Sequence, residues 1–432
     1  MAVLQHQSRA LAADKPLRKL LARLGPGLIT GASDDDPSGI GTYSQAGAQF
    51  GYGIGWTMLL TYPLMAAIQE ISARIGRTTG HGISGNLSRH YPNWLLQCIV
   101  ALLFIANTIN IGADLSAMAD AARLLIGGMS FLYVAGFTAV CVVSIVFVNY
   151  RRYVTVLKWL TLSLFAYVGA ALASDVNWSK AVAGTLVPHL NWSSEYFTTL
   201  VAILGTTISP YLFFWQASQE AEDVQVDRQR KPLVKAPRQA LDAFARIRAD
   251  TLVGMAFSNL IALAIIVSTA ASLHKAGITN IESSTQAAQT LKPIAGNFTF
   301  ALFTLGIVGT GLLAIPVLAG SAAYAVGEAR RWPVGLARRP KQAAAFYWAL
   351  TAAAAFGAAI TLSPIDPIKA LYGSAVINGV VSPPVMVVMM LMTADRRVMG
   401  QFVVAGTLRW LGWASTAAVS FCVVAMVALW IV

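Results

Sequence analysis

Three consecutive acids and a helix breaker, Asp34-Asp35-Asp36-Pro37-Ser38-Gly39, lie near the middle of the first hydrophobic segment. A carboxylate at bilayer mid-depth costs ~2.5–3.5 kcal/mol on insertion scales, so it faces a polar cavity and marks an ion or substrate path. Pro37 and Gly39 interrupt the helical ladder there, and irregular backbone at that depth persists only where it is buried in protein or lines a cavity. Charge and break together point to a cation site. Successive helical positions point about 100° apart, so all three acids cannot converge on one ion. Asp36, next to the break, is the first choice as ligand. Asp35 is assigned to the pathway, and either Asp34 or Asp35 to an inner vestibule. The competing role for Asp36 is a helix cap, because Asp before Pro can take up the amides of the half-helix that follows.

The elements that must carry these residues follow from composition. The 432 residues are 56% hydrophobic and 12% charged, with mean hydropathy +0.62, whereas soluble domains carry about one quarter charged residues. Stretches long enough to cross a bilayer recur from end to end and predict about eleven spans. Their cores run over residues 25–48, 54–75, 94–125, 131–149, 153–173, 197–219, 251–273, 298–326, 343–362, 368–392 and 410–431. The chain therefore reads as an all-α integral membrane protein with one transporter domain (25–432) behind a polar segment (1–24), and no removable signal peptide is expected.

Basic residues cluster in alternate loops: Arg9 to Arg23, then Arg74, Arg77 and Arg89, then Arg151, Arg152 and Lys158. Further groups are Arg228 to Arg248, Arg330 to Lys341, and Arg396, Arg397 and Arg409. Under the positive-inside rule this predicts a multi-pass cell-membrane protein with a cytoplasmic N-terminus and an outside C-terminus. The net charge of +12 is thereby explained by loops, and no basic-aromatic surface for nucleic acid is present. The polar stretch Glu220 to Asp250 reads as a solvated connector with room for a short surface helix. Cys98, Cys141 and Cys422 have no paired spacing, so neither a disulfide framework nor a zinc site is expected. Trp94, Trp159, Trp332 and Trp410 fall near span ends as interface anchors.

A second break falls in the sixth span, Gly205-Thr206-Thr207-Ile208-Ser209-Pro210-Tyr211. If spans one to five form one repeat (about 25–175) and six to ten another (about 197–392), the breaks occupy corresponding first helices and the repeats are inverted, with an extra helix at about 408–431. Such paired interruptions mark a midplane site lined by unwound carbonyls and half-helix ends, whose partial negative charge favours a cation. Ser209 joins Asp36 and Gly39 as a site position; Ser38, Thr207, Tyr211 and Asn378 are assigned to the pathway. For Ser209 and Thr207 the alternative is a hydroxyl bonded back to its own helix. Asn107 and Asn110 share a face that suits helix-to-helix hydrogen bonds, and Glu70 is four residues before Arg74, the spacing of an ion pair.

Gly25-Pro26-Gly27, Asp36-Pro37-Ser38-Gly39 and Ala46-Gly47-Ala48-Gln49 resemble the first helix of the Nramp divalent-metal transporters, with its Asp-Pro-Gly-Asn signature and small Ala-Gly-Ala stretch. The sixth-span break is similar to that family's Gly-Ala-x-x-Met-Pro-His segment, and Asn378-Gly379 with Pro383-Pro384 are weaker echoes. The resemblance implies a LeuT-like fold with broken helices 1 and 6 and a metal site at Asp36. It also implies that the family's Asn ligand falls on Gly39 and its Met on Ser209. Losing a thioether hardens a site toward magnesium and manganese, and small side chains leave room for a partly hydrated ion. The similarity is therefore greatest to the Nramp-related magnesium transporters. The acids of the family's third span fall on Asn110 and Ala113, and the histidines of its sixth span on Tyr211 and Gln216, which implies transport without obligatory proton coupling. Asp114, one turn from Asn110, is the counterweight.

A proton-coupled manganese or iron transporter, or an amino-acid carrier of the same fold, are the other transport readings. Enzyme classes fare worse: no second aspartyl-protease motif, no His-Glu-x-x-His and no phosphate-binding Gly-x-x-x-x-Gly-Lys occurs. No cofactor and no obligatory protein partner is expected, only the transported Mg2+ or Mn2+ and the lipid bilayer.

Overall fold

The computed structural model describes residues 31, 33–148, 162–227 and 229–431, and every element among them is helical. The segment 1–24, Gly25-Pro26-Gly27, most of the fifth span with Arg151, Arg152, Lys158 and Trp159, and Arg228 lie outside the described residues. The main helices are α1 (Pro37–Phe50), α2 (Trp56–Thr79), α3 (Ile83–His90), α4 (Asn93–Ile126), α5 (Ser130–Phe147), α6 (Phe165–Ala173) and α7 (Trp178–Leu186). They continue with α8 (Ser194–Thr207), α9 (Pro210–Val226), α10 (Ala240–Thr269), α11 (Thr299–Ala329), α12 (Ala344–Ile360), α13 (Pro367–Ala394) and α14 (Gly406–Ile431).

Seven helical stretches among the described residues are long and apolar enough to cross a membrane. The expected second span is present as α2, 24 residues long but diluted by Gln69, Glu70, Arg74 and Arg77, and the ninth as the 17-residue α12. α4 packs against α11, α12 and α13, while α10 lies along α1 and α2. The α5 and α14 helices bury only a few side chains and present Phe131, Phe147, Val424 and Ile431 outward, as lipid-facing helices do.

Glycine is required where backbones touch. A Cβ on Gly205 of α8 would lie 2.0 Å from the Ala375 carbonyl oxygen of α13, and one on Gly379 would lie 2.3 Å from the Val201 oxygen of α8. Small residues at membrane helix interfaces permit this approach, and packing rather than water then holds the helices together.

The basic loops after α2, before α10 and after α11 converge at one end. Arg77 donates to the Lys231 carbonyl at 2.6 Å and to Gln239 at 2.8 Å, and Arg331 donates to the Ser88 carbonyl at 3.1 Å. The expected connector is shorter than its polarity suggests: α9 runs through Val226 and α10 starts at Ala240, so Glu220 and Glu222 face other helices while Asp223 and Asp227 pair with Arg230 of the connector. Glu220 pairs with Arg246 at 2.5 Å, and Glu222 accepts from the Tyr324 hydroxyl and from the amides of Leu336 and Ala337. Glu328 accepts from Gly82 N at 3.2 Å, Gly85 N at 2.9 Å and the Ser218 hydroxyl at 3.2 Å, tying α11 to the start of α3 and to α9. Hydrogen bonds to a charged acceptor are worth about 1.5–3 kcal/mol each where the alternative is a buried unmet donor. Glu328→Ala is expected to lower stability by about 2–3 kcal/mol, read as a lower melting temperature of the detergent-purified protein; an unchanged value would remove this latch from the account.

Glu70 and Arg74 form the expected ion pair at 2.5 Å. The three cysteines are free. Trp94 and Trp410 are exposed at the starts of their helices, as anchors are.

Candidate cation site at the two helix breaks

Both breaks form where the sequence demands them. Asp36 caps α1: its Oδ1 accepts from Gly39 N at 2.8 Å and from the Ser38 hydroxyl at 2.6 Å, and Pro37 takes the first helical position, where no donor is missed. α8 stops at Thr207, Ile208 and Ser209 are unwound, and Pro210 starts α9. Ser382 of α13 stabilises the second break by donating to the Ile208 carbonyl at 2.7 Å.

Capping by Asp36 does not exclude a ligand role, because it uses Oδ1 and leaves Oδ2 facing other helices. Oδ2 accepts from Asn110 Nδ2 at 3.1 Å and lies 3.5 Å from the Tyr211 hydroxyl, which also donates to the Ser33 carbonyl at 3.1 Å. Asn110 Oδ1 in turn accepts from Asn378 Nδ2 at 2.8 Å. Asp36, Ser38, Tyr211 and Asn378 are thus brought into one buried assembly, with Asn110 as its hub. Asn107, on the same helix face, instead donates to the Leu318 carbonyl at 2.9 Å, a bond between α4 and α11.

Ser209 and Thr207 turn their hydroxyl protons inward to their own helix. Ser209 donates to the carbonyls of Gly205 at 2.5 Å and Thr206 at 2.8 Å, and Thr207 to Ile203 at 2.9 Å. Gly39 does not leave open space: a Cβ there would meet the Tyr43 ring at 3.3 Å and the Asp34 carbonyl at 3.4 Å. The room expected beside it is taken up by that ring.

Asp34 and Asp35 are 1% exposed and line no open vestibule in this conformation. Ser258 of α10 donates to both, to Asp34 Oδ2 and to Asp35 Oδ1, the latter at 3.1 Å. Nothing in the sequence distinguished Ser258 from other hydroxyls in hydrophobic spans. Asp114 is the other residue that the site positions omitted: Asn110 Nδ2 lies 3.2 Å from its Oδ2, so Asp114 joins the Asp36 assembly. Its position four residues after Asn110, on the same helix face, was the available signal.

Above Asp36, the Tyr43 and Thr206 hydroxyls lie 3.0 Å apart and close the gap between α1 and α8. Beyond them, at the end opposite the basic loops, a cavity of about 390 Å³ is lined by Gln45, Gln49, Glu195, Thr198, Lys369 and Tyr372 among others. That cavity, whose lining also includes Ile281, Ile368 and Trp430, is separated from the breaks by the Tyr43 and Thr206 pair, while the Glu220, Glu222 and Glu328 contacts tie the helices together at the other end.

Known structures share this architecture. A manganese transporter from Eremococcus coleocola, crystallised with an aromatic bis-isothiourea compound, superposes with a TM-score of 0.75 at 16% identity, over 96% of this chain and 87% of that one. A Na+-coupled sialic acid symporter in a substrate-bound outward-open state gives 0.57 at 12% identity, over 92% and 88%. At these identities the likeness establishes the fold, a LeuT-like transporter bundle. The sequence family described as natural resistance-associated macrophage protein-like, Nramp, matches residues 27–429. With a match over nearly its whole length and both helix breaks in place, the chain belongs to the Nramp family.

Proposed function

We propose that this protein is a secondary transporter, not an enzyme, that moves a divalent metal cation, magnesium first and manganese second, by alternating access around Asp36. The observation that carries the reading is the Asp36 carboxylate, buried at the junction of two broken helices and surrounded by hydroxyl, amide and carboxylate groups. Ser209 stands where the resemblance places the family's thioether. Oxygen donors suit magnesium and manganese, and a thioether favours softer ions. Family membership and the fold shared with a manganese transporter support the class of cargo. Ser209 has lone pairs left for a metal-bound water, and Thr207, Asp35, Ser38 and Gly39 flank the route. The basic loops orient the closed end and the N-terminus toward the cytoplasm, so the ion arrives through the 390 Å³ cavity.

Transport without obligatory proton coupling is supported by Asn110, Tyr211 and Gln216, none of which exchanges a proton at ordinary pH. Asp114 favours a second reading, a proton-coupled manganese or iron carrier, since it puts another acid into the assembly. Uptake by proteoliposomes of magnesium, manganese, calcium and cadmium, with internal pH recorded, separates the two. Rejection of magnesium sinks the hard-site reading, and acidification that tracks metal flux sinks the uncoupled one. Ser209→Met is expected to shift preference from magnesium toward cadmium by about tenfold; an unchanged uptake ratio would remove residue 209 from the ion's surroundings.

A further inference from the structure

One neutral amide spans two buried carboxylates here. Asn110 Nδ2 donates to Asp36 Oδ2 at 3.1 Å and to Asp114 Oδ2 at 3.2 Å, which is the geometry a cation shared by the two acids would also satisfy. Among the described residues no lysine or arginine forms an ion pair with either acid. Two oxygens of the same assembly lack a partner in good hydrogen-bond geometry, Asp114 Oδ1 on α4, whose carboxylate the Ser38 amide of α1 approaches, and Asn378 Oδ1 on α13, and their residues are 0% and 1% exposed. Buried acceptors left unmet are rare because each forfeits its solvation. Here one belongs to an amide whose nitrogen is engaged, so the orphan oxygen is not a feature of acid clustering alone.

We infer that Asp114 is a second carboxylate ligand of the transported cation, direct or through one water, and that the Asn110 amide is the placeholder for the ion. This rests on Asp36 being the metal site. When the cation arrives, Asn110 turns its amide over and presents Oδ1, since an NH2 group beside a divalent ion is repelled. Its Nδ2 then faces Asn378, which must turn as well. Asn378 Oδ1, unmet before, now accepts from Asn110. The paired turnover carries the ion's arrival from α1 and α4 to α13, and it gives Asn378 Oδ1 a donor at the expense of the bond now made by Asn378 Nδ2. The cargo that fits is a hard divalent ion held by two carboxylates and an amide oxygen.

The test titrates full-length, detergent-purified protein with MnCl2 or MgCl2 alone by calorimetry. Asp114→Asn is expected to weaken binding by about tenfold or more and to reduce the metal-dependent rise in melting temperature at a fixed metal concentration. Without metal it should melt as wild type does, because Asn can still accept from Asn110. Asp114→Glu, which retains the carboxylate, should hold the loss below that of the Asn variant. Wild-type binding by Asp114→Asn overturns the inference, as does retained binding with only the pH dependence of uptake altered. If Asp36→Asn also binds metal normally, the function proposed above fails with it; if Asp36→Asn has lost binding while Asp114→Asn has not, only the role of Asp114 falls.

Discussion

Asp36→Asn is expected to reduce metal uptake by about 100-fold or more while leaving the protein folded. Under the proposed function the side chain carries two separable duties. As a cap it holds Gly39 N at 2.8 Å, and Asn caps helices about as well as Asp, so α1 keeps its start. As a ligand it supplies charge, which Asn removes. Asp36→Ala loses both and should add about 1 kcal/mol of destabilisation from the missing cap. Uptake into proteoliposomes and thermal unfolding, measured on both variants, separate the duties. Normal uptake by Asp36→Asn would mean that the ion does not pass this carboxylate.

The second large effect lies at the α8 and α13 contact. A methyl group on Gly205 would sit 2.0 Å from the Ala375 oxygen and 2.5 Å from Gly379 N, both backbone atoms that no rotamer change can move aside. Gly205→Ala must therefore push the two helices apart, at a cost of about 3 kcal/mol, the upper range for overpacking. Separation also pulls Ser382 from the Ile208 carbonyl and shifts Asn378 away from Asn110. Transport should fall with stability, since the second break is held by that contact. Gly373→Ala in the same α13 is the control, because a Cβ there meets nothing within 4 Å. It should be neutral or slightly stabilising through helix propensity. Equal melting temperatures for the two variants would refute the close-contact argument.

The frame of the molecule was legible because lipid imposes it. Unpaired backbone is not tolerated in hydrocarbon, so Pro37 and Pro210 beside polar residues had to mark backbone buried in protein or lining a cavity, and both helices are interrupted there. Tyr211 and Asn378 stood out for the same reason, as polar side chains at mid-span, and both join the buried assembly around Asp36. Asp114 and Ser258 were harder. Each reaches the acids from a neighbouring helix, and the rotation of α4 or α10 about its axis is set by packing against other helices, which one sequence does not disclose. The acids of α9 and α11 were obscured by their neighbours in the chain. Glu220 and Glu222 adjoin a polar loop and read as solvated, yet each is taken up by a partner from another helix.

Asp34, Asp35, Asp36 and Asp114 have no lysine or arginine ion-paired to them among the described residues, and that has an electrical consequence. Charges fixed in the protein return with the empty carrier, so a cycle's net charge is that of the cargo and any co-ion. A built-in counter-cation would change only which step senses the voltage. Here none is paired to the acids, and under the uncoupled reading no proton makes the trip either. Each cycle then transfers a double charge, so the membrane voltage contributes about 4.6 kcal/mol per ion per 100 mV. The resting potential becomes the motor for accumulation, and purified protein in a planar bilayer should pass a metal-dependent current whose reversal potential follows the divalent-ion gradient alone.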